Sequence, residues 1–120
     1  MTEYSDELRK LKYQIRLLGE AVDSTQSPIT SLVISFDWGE EDLDRAHDIF
    51  ESYDEKLRAG EEVRWTAFEM ALREQFHIGY QRVKSIVLAF YRNHQWTAVC
   101  RGYAHANDCM EFHEITKSSD

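Results

Sequence analysis

The sequence predicts an all-α fold, a compact bundle of five or six helices in a single domain covering residues 1–120. Apolar residues recur at intervals of three and four along most of the chain, which is the period of a helix with one buried face. Only one proline and five glycines interrupt the chain, which argues against a β-sandwich or a disordered tract. With 42% hydrophobic residues, 120 residues are enough to fill one core.

The first helix carries the clearest pattern, a heptad repeat. Its apolar residues are spaced 4, 3, 4, 3 and 4 apart, as in a coiled coil; they are Tyr4, Leu8, Leu11, Ile15, Leu18 and Val22, here called the α1 seam. Tyr13 and Leu17 form a second strip away from it, here called the opposite strip. An opening helix has one chain neighbour, so we expect residues 1–23 to be an oligomerisation helix that gives one side to another subunit. Coverage of both strips within the monomer is the alternative.

The second helix is predicted to begin at Ser27-Pro28, an N-cap followed by proline at the first helical position. It ends near Phe36. Gly39 is the predicted N-cap of the third helix, whose first turn is acidic, as the helix dipole favours. A basic last turn followed by Gly60 closes that helix.

The fourth helix is predicted from a capping box, in which Thr66 caps the backbone N–H of Glu69 and Glu69 returns the bond. His77-Ile78-Gly79 breaks the pattern. A fifth helix follows it, with its apolar stripe at Val83, Ile86, Val87 and Phe90. A sixth helix carries Trp96, Val99, Cys100 and Tyr103, and Gly102 is expected to weaken it. Residues 104–120 are left open as a helical tail, a hairpin or a disordered segment.

The formal net charge of −8 predicts poor affinity for phosphate polymers, but the charge is unevenly distributed. Residues 1–72 carry eight Lys or Arg against seventeen Asp or Glu. Residues 73–106 carry five against one, and residues 107–120 carry one against four. The basic segment either docks a partner or packs on acidic parts of its own chain, and the second interpretation is favoured.

The chain opens on an acidic segment, where a signal peptide would be basic, and has no apolar run approaching 18 residues. We therefore expect a cytoplasmic protein that does not enter a membrane. Two cysteines are too few for a disulfide framework and are expected to be reduced.

Chemistry-bearing residues are sparse. Cys100, His105, Cys109 and His113 have the side-chain types that bind zinc, but their spacing matches no common zinc module. We predict no metal site and no cofactor. The chain has no phosphate loop and no hydrolase or metalloprotease motif, so we expect no enzymatic activity.

Over residues 7 to about 103 the chain resembles the YhaI-like family of small bacterial proteins. The residues that carry the resemblance are Leu11, Tyr13, Ile15, Leu17, Leu18, Val22, Asp23, Pro28, Leu32, Ile34, Glu40, Glu41, Val63, Trp65, Phe68 and the run Ser85–Tyr91. The resemblance implies an all-helical, oligomeric protein without an assigned activity, so it transfers no functional residue.

A shorter resemblance concerns Phe76–Arg82, which is similar to the turn of the winged-helix gamma domain of FtsK-type DNA translocases. In that fold the turn joins two helices, and the second enters the major groove. The resemblance implies a helix-turn-helix-like element around residues 67–92, with Arg82 and Lys84 at the start of its second helix. The basic segment adds Arg73 and Arg92 as candidate nucleic-acid contacts.

The sequence thus predicts a non-catalytic cytosolic protein, a small oligomeric helical adaptor or regulator acting through protein–protein contacts with an unidentified partner. A DNA-binding regulator is the alternative, and a zinc-binding protein is the third.

Overall fold

The computed structural model describes residues 2–117, and the predicted all-α class is confirmed. The helices are α1 (Thr2–Ala21), α2 (Pro28–Ser35), α3 (Glu40–Arg58), α4 (Trp65–Phe76), α5 (Tyr80–Arg92), α6 (Thr97–Ala106) and α7 (His113–Thr116), with a 3₁₀ turn at Met110–Phe112 before α7. This described range contains six helices of eight residues or more and no strand.

Both predicted ends of α3 are confirmed. The backbone N–H of Gly39 donates to the Asp42 carboxylate at 2.9 Å, which closes the first turn. At the other end, Gly60 adopts a φ of 75°, in the left-handed region where a side chain would be strained. The charges at the two ends of α3 also complement its dipole.

The predicted capping box of α4 is wrong. The N-cap residue is Arg64, two residues before Thr66, so the helix begins at Trp65, and no side chain caps it. Glu69 instead accepts a hydrogen bond of 2.6 Å from the Tyr103 hydroxyl and pairs with Arg73 at 3.5 Å. Burial, together with this bond, raises the pKa of Tyr103. The Glu69 carboxylate, which the local pattern assigned to the helix cap, therefore binds the Tyr103 hydroxyl instead.

The core is a cluster of aromatic rings centred on Phe50 of α3. Its ring centroid lies 5.2 Å from that of Phe68 in α4, 4.6 Å from Phe90 in α5 and 5.7 Å from Trp96 before α6. The indole N–H of Trp96 donates to Glu51 at 2.8 Å, which satisfies the polar end of that ring. Helix α5 crosses this core and contacts α2, α4 and α6.

The segment left open by the sequence, residues 104–120, is ordered as far as it is described. Helix α6 ends at Ala106, and the 3₁₀ turn and α7 return the chain to the core. Phe112 and Ile115 are buried there, and the Phe112 ring lies 5.9 Å from that of Tyr103. Residues 118–120 lie outside the described range.

Helix α6 continues through Gly102, where the packing requires the absence of a side chain. A Cβ atom at this position would collide with the six-membered ring of the Trp65 indole. The glycine thus allows α6 to approach the first residue of α4 closely.

We predict that Gly102→Ala lowers the free energy of unfolding by about 1–3 kcal/mol, the usual cost of overpacking. Helix propensity alone predicts the opposite sign, a gain of up to about 1 kcal/mol. Urea denaturation at one fixed protein concentration measures the difference. Gly79→Ser is the control, since a Cβ there meets open space and serine is a good N-cap. Unchanged or higher stability of Gly102→Ala would contradict the steric argument.

Candidate functional site

Helix α1 projects from the body of the protein. The molecule measures 58 × 26 × 21 Å, and its radius of gyration is 16.6 Å. A compact chain of this length has a radius of gyration of about 13.6 Å. Twenty residues of helix span about 30 Å, which accounts for the excess length. The long axis of the molecule therefore reflects one helix that the core does not enclose.

The α1 seam is open to solvent along the whole helix. The exposed fractions of its side chains run from 43% at Leu8 to 70% at Tyr4, and Leu11, Ile15 and Leu18 lie between these values. Val22 lies just beyond the end of α1 and is half-buried. The opposite strip is also exposed, so the described chain covers neither strip. Apolar surface of this extent is typical of an interaction site.

The body holds α1 by its flank. A Cβ on Gly19 would lie only 2.7 Å from Cγ2 of Ile34, so the backbone of α1 approaches α2 closely at this point. Gly19 is one residue beyond Leu18, beside the seam rather than within it. Leu18 consequently stays 66% exposed although its neighbour is in contact with α2.

Two charged residues beside the seam have no ionic partner among the residues that the structure describes. Glu7 and Lys12 are both exposed, and the ion pair found within α1 joins Asp6 to Arg9 at 3.9 Å. Glu7 and Lys12 are therefore available to charges on another molecule.

Three of the five basic residues of the segment 73–106 pair with carboxylates of the described chain, which supports the favoured interpretation; one of these pairs joins Arg73 to Glu69. Arg92 forms a two-pronged pair with Glu114 of α7, with a shortest distance of 2.6 Å. Lys84 pairs with Glu111 at 3.5 Å. Glu111 and Glu114 belong to the acidic stretch 107–120, which directly follows the basic segment in the sequence. The charge pattern indicates such pairing in general but does not identify these two glutamates.

Lys84, a predicted nucleic-acid contact, has a buried side chain that is only 6% exposed, which disfavours that role. Its ammonium lies 4.4 Å from the Tyr80 ring centroid. Burial alone would lower the pKa of Lys84, but Cys109, Tyr80 and Glu111 outweigh that effect and raise it. Arg82 is exposed and stacks over the Phe36 ring at 4.9 Å. Arg73 is exposed as well but pairs with Glu69, so Arg82 is the exposed predicted contact without a carboxylate partner among the described residues.

The four cysteine and histidine candidates do not form a metal centre. Cys100 is buried in α6 and its thiol lies 3.5 Å from the Val87 carbonyl oxygen, whereas His105 and His113 are exposed. Within residues 2–117, no three His, Cys, Asp or Glu side chains are grouped so that they could hold a metal ion.

A pocket of about 220 Å³ lies between α2 and α5. Serine hydroxyls and apolar side chains line it, together with Arg92, which is already engaged with Glu114. The Ser35 and Ser85 hydroxyls donate to backbone carbonyls of their own helices, at 2.7 and 3.4 Å. Its lining therefore offers no paired nucleophile and base.

Comparison of the chain with protein-family models, curated proteins and solved structures found no match. The resemblance to the YhaI-like family therefore stays a prediction. Each helix within the described range is too short or too polar to cross a membrane.

We predict that the two cysteines differ sharply in reactivity. Burial raises the pKa of the Cys100 thiol and removes it from solvent, whereas Cys109 is half-buried at the protein surface. Iodoacetamide should therefore alkylate Cys109 in the folded protein and Cys100 only after unfolding in urea, as read by mass spectrometry of the two peptides. Equal labelling rates before unfolding would show that the core around α6 opens.

Proposed function

We propose that this chain is a non-catalytic cytosolic protein, a small oligomeric helical adaptor or regulator that assembles through α1. The observation that carries the proposal is the α1 seam, five of whose residues are exposed on a helix that projects from a filled core. A soluble monomer rarely leaves so large an apolar surface uncovered. The regular heptad spacing further favours another helix as the covering element.

The body supports a scaffold role more than a catalytic one. Two polar groups of buried residues are engaged in structure: the Tyr103 hydroxyl donates to Glu69, and the Lys84 ammonium pairs with Glu111. Cys100, the buried nucleophilic side chain, points to the Val87 carbonyl rather than to a base. These contacts stabilise helix packing within the body. The apolar seam of α1, by contrast, has no packing partner in the described chain.

We predict that light scattering at tens of micromolar finds an oligomer and that Leu11→Asp converts it to the 14.2 kDa monomer. A carboxylate buried in the seam without a partner costs several kcal/mol. Tryptophan fluorescence should remain native, because the three tryptophans lie outside α1.

Leu17→Asp is the matched control. It makes the same change on the opposite strip at nearly equal exposure, 45% against 50% for Leu11. Assembly retained in Leu17→Asp and lost in Leu11→Asp supports the seam. A monomeric wild-type protein would refute the proposal.

A DNA-binding regulator is the second candidate. It is favoured by the turn between α4 and α5, which places exposed Arg82 in the first turn of the second helix. The pairing of Lys84 and Arg92 with Glu111 and Glu114 removes two of its predicted phosphate contacts. The adaptor proposal therefore has more support.

We predict no binding of duplex DNA at tens of micromolar protein in a low-salt anisotropy titration, given the net charge of −8 and these internal pairs. Arg82→Ala is the informative variant and Arg64→Ala, an exposed arginine outside the turn, is its control. Salt-sensitive binding that is lost in the first and kept in the second would replace the adaptor proposal with the DNA alternative.

A further inference from the structure

Resting on the proposed assembly through α1, we infer that the partner of α1 is α1 of a second copy of this chain, running parallel to it in a two-stranded coiled coil. The residues of the seam and the charges beside it carry the argument.

The seam has the composition of a parallel dimer. Its spacing assigns Leu8, Ile15 and Val22 to heptad position a, and Tyr4, Leu11 and Leu18 to position d. Branched Ile and Val at a together with Leu at d favour two parallel strands over three or four. Within α1, Ile15 at position a and Leu11 and Leu18 at position d follow that rule, whereas Val22 lies just beyond the end of the helix.

The charges beside the seam are self-complementary in the parallel arrangement. Glu7 occupies position g and Lys12 the following position e, five residues later. In a parallel pair, each g side chain faces the e side chain five residues further along the other helix. Glu7 of each copy therefore meets Lys12 of the other, and two-fold symmetry gives this pair twice. Both residues are exposed and lack an ionic partner in the described part of their own chain.

The antiparallel arrangement loses this match. It places Leu11 opposite Ile15 of the other copy, so that e positions face e positions. Lys12 then approaches Lys12 of the second copy near the middle of the helix. Like charges are juxtaposed where the parallel arrangement has opposite ones.

The body leaves room for a second helix along the seam. Helix α2 contacts α1 at Gly19, an e position on one flank, and Ile15 and Leu18 remain more than half exposed. The opposite strip, at positions f and c, stays on the outside of the dimer. Because both bodies follow the C-terminal ends of parallel helices, the dimer presents two bodies side by side at one end.

Charge reversal tests the direction. Glu7→Lys and Lys12→Glu each put like charges at both pairs of a parallel dimer, so we expect each to raise the dimer dissociation constant about tenfold. The double variant restores opposite charges and should return the constant to the wild-type value. Sedimentation across a dilution series measures the dissociation constant of all four proteins. Each single reversal should change this constant less in 1 M salt, because salt screens exposed charges.

Cross-linking gives an independent readout. In Tyr4→Cys, made with Cys109→Ser, the new thiols are adjacent in a parallel dimer and about 27 Å apart in an antiparallel one. Oxidised glutathione should therefore yield a covalent dimer on a non-reducing gel. Cys109→Ser alone, which retains only buried Cys100, is the control.

The outcomes separate this inference from the proposed function. A wild-type monomer refutes both. A dimer that ignores the single reversals and fails to cross-link through position 4 overturns the parallel arrangement and leaves assembly through α1 intact. A trimer or tetramer, or dissociation by Leu17→Asp, overturns the two-stranded arrangement.

Discussion

The ring of Phe50 joins α3 to three other parts of the body, and the remaining structure depends on how that ring is surrounded. Phe68, Phe90 and Trp96 enclose it from α4, α5 and the start of α6. Tyr103 extends the cluster to Phe112, so even the C-terminal turn is used to close it. Interiors are close-packed, and a core filled in this way has no space for a further apolar helix. The exposure of α1 is thus a consequence of the completed core, to which α1 is attached at Gly19 by its flank.

The body and α1 also differ in how their charged residues are paired. Lys84 and Arg92 of α5 are held by Glu111 and Glu114, so the basic segment and the acidic tail neutralise one another where the tail returns to the core. The Lys84 pair is part-buried, and its role is to satisfy an ammonium that the packing removes from water. On α1, by contrast, Glu7 and Lys12 remain in solvent. Lys84 and Arg92 are thus paired within the body, whereas Glu7 and Lys12 beside the seam have no ionic partner in the described part of the chain.

Features of the sequence with a local cause were predictable, and those caused by distant residues were not. Periodicity predicts the helix class, and the ends of α3 follow from Gly39, Asp42 and Gly60 because caps are local interactions. Glu69 accepts its hydrogen bond from Tyr103, 34 residues later in the sequence. The local capping pattern therefore predicted the wrong partner. Gly102 looks unfavourable by helix propensity, and only the position of Trp65 reveals its purpose. Heptad spacing predicts which residues of α1 share one apolar face, because an a/d stripe describes one helix alone, and these residues are exposed. That this face is an oligomer interface stays a prediction.

The isolation of α1 also bears on its own stability. Nucleation makes isolated helices marginal in water, and most helices in proteins are stabilised by packing of one face. Apart from its attachment near Gly19, α1 has no such packing within the described chain, and β-branched Ile15 and aromatic Tyr13 contribute little intrinsic propensity. If α1 pairs with a second copy, burial of the seam would stabilise the helix in the same step that joins the chains. Helix formation in α1 and assembly would then be one linked equilibrium, in which pairing of the two seams also fixes the direction of α1.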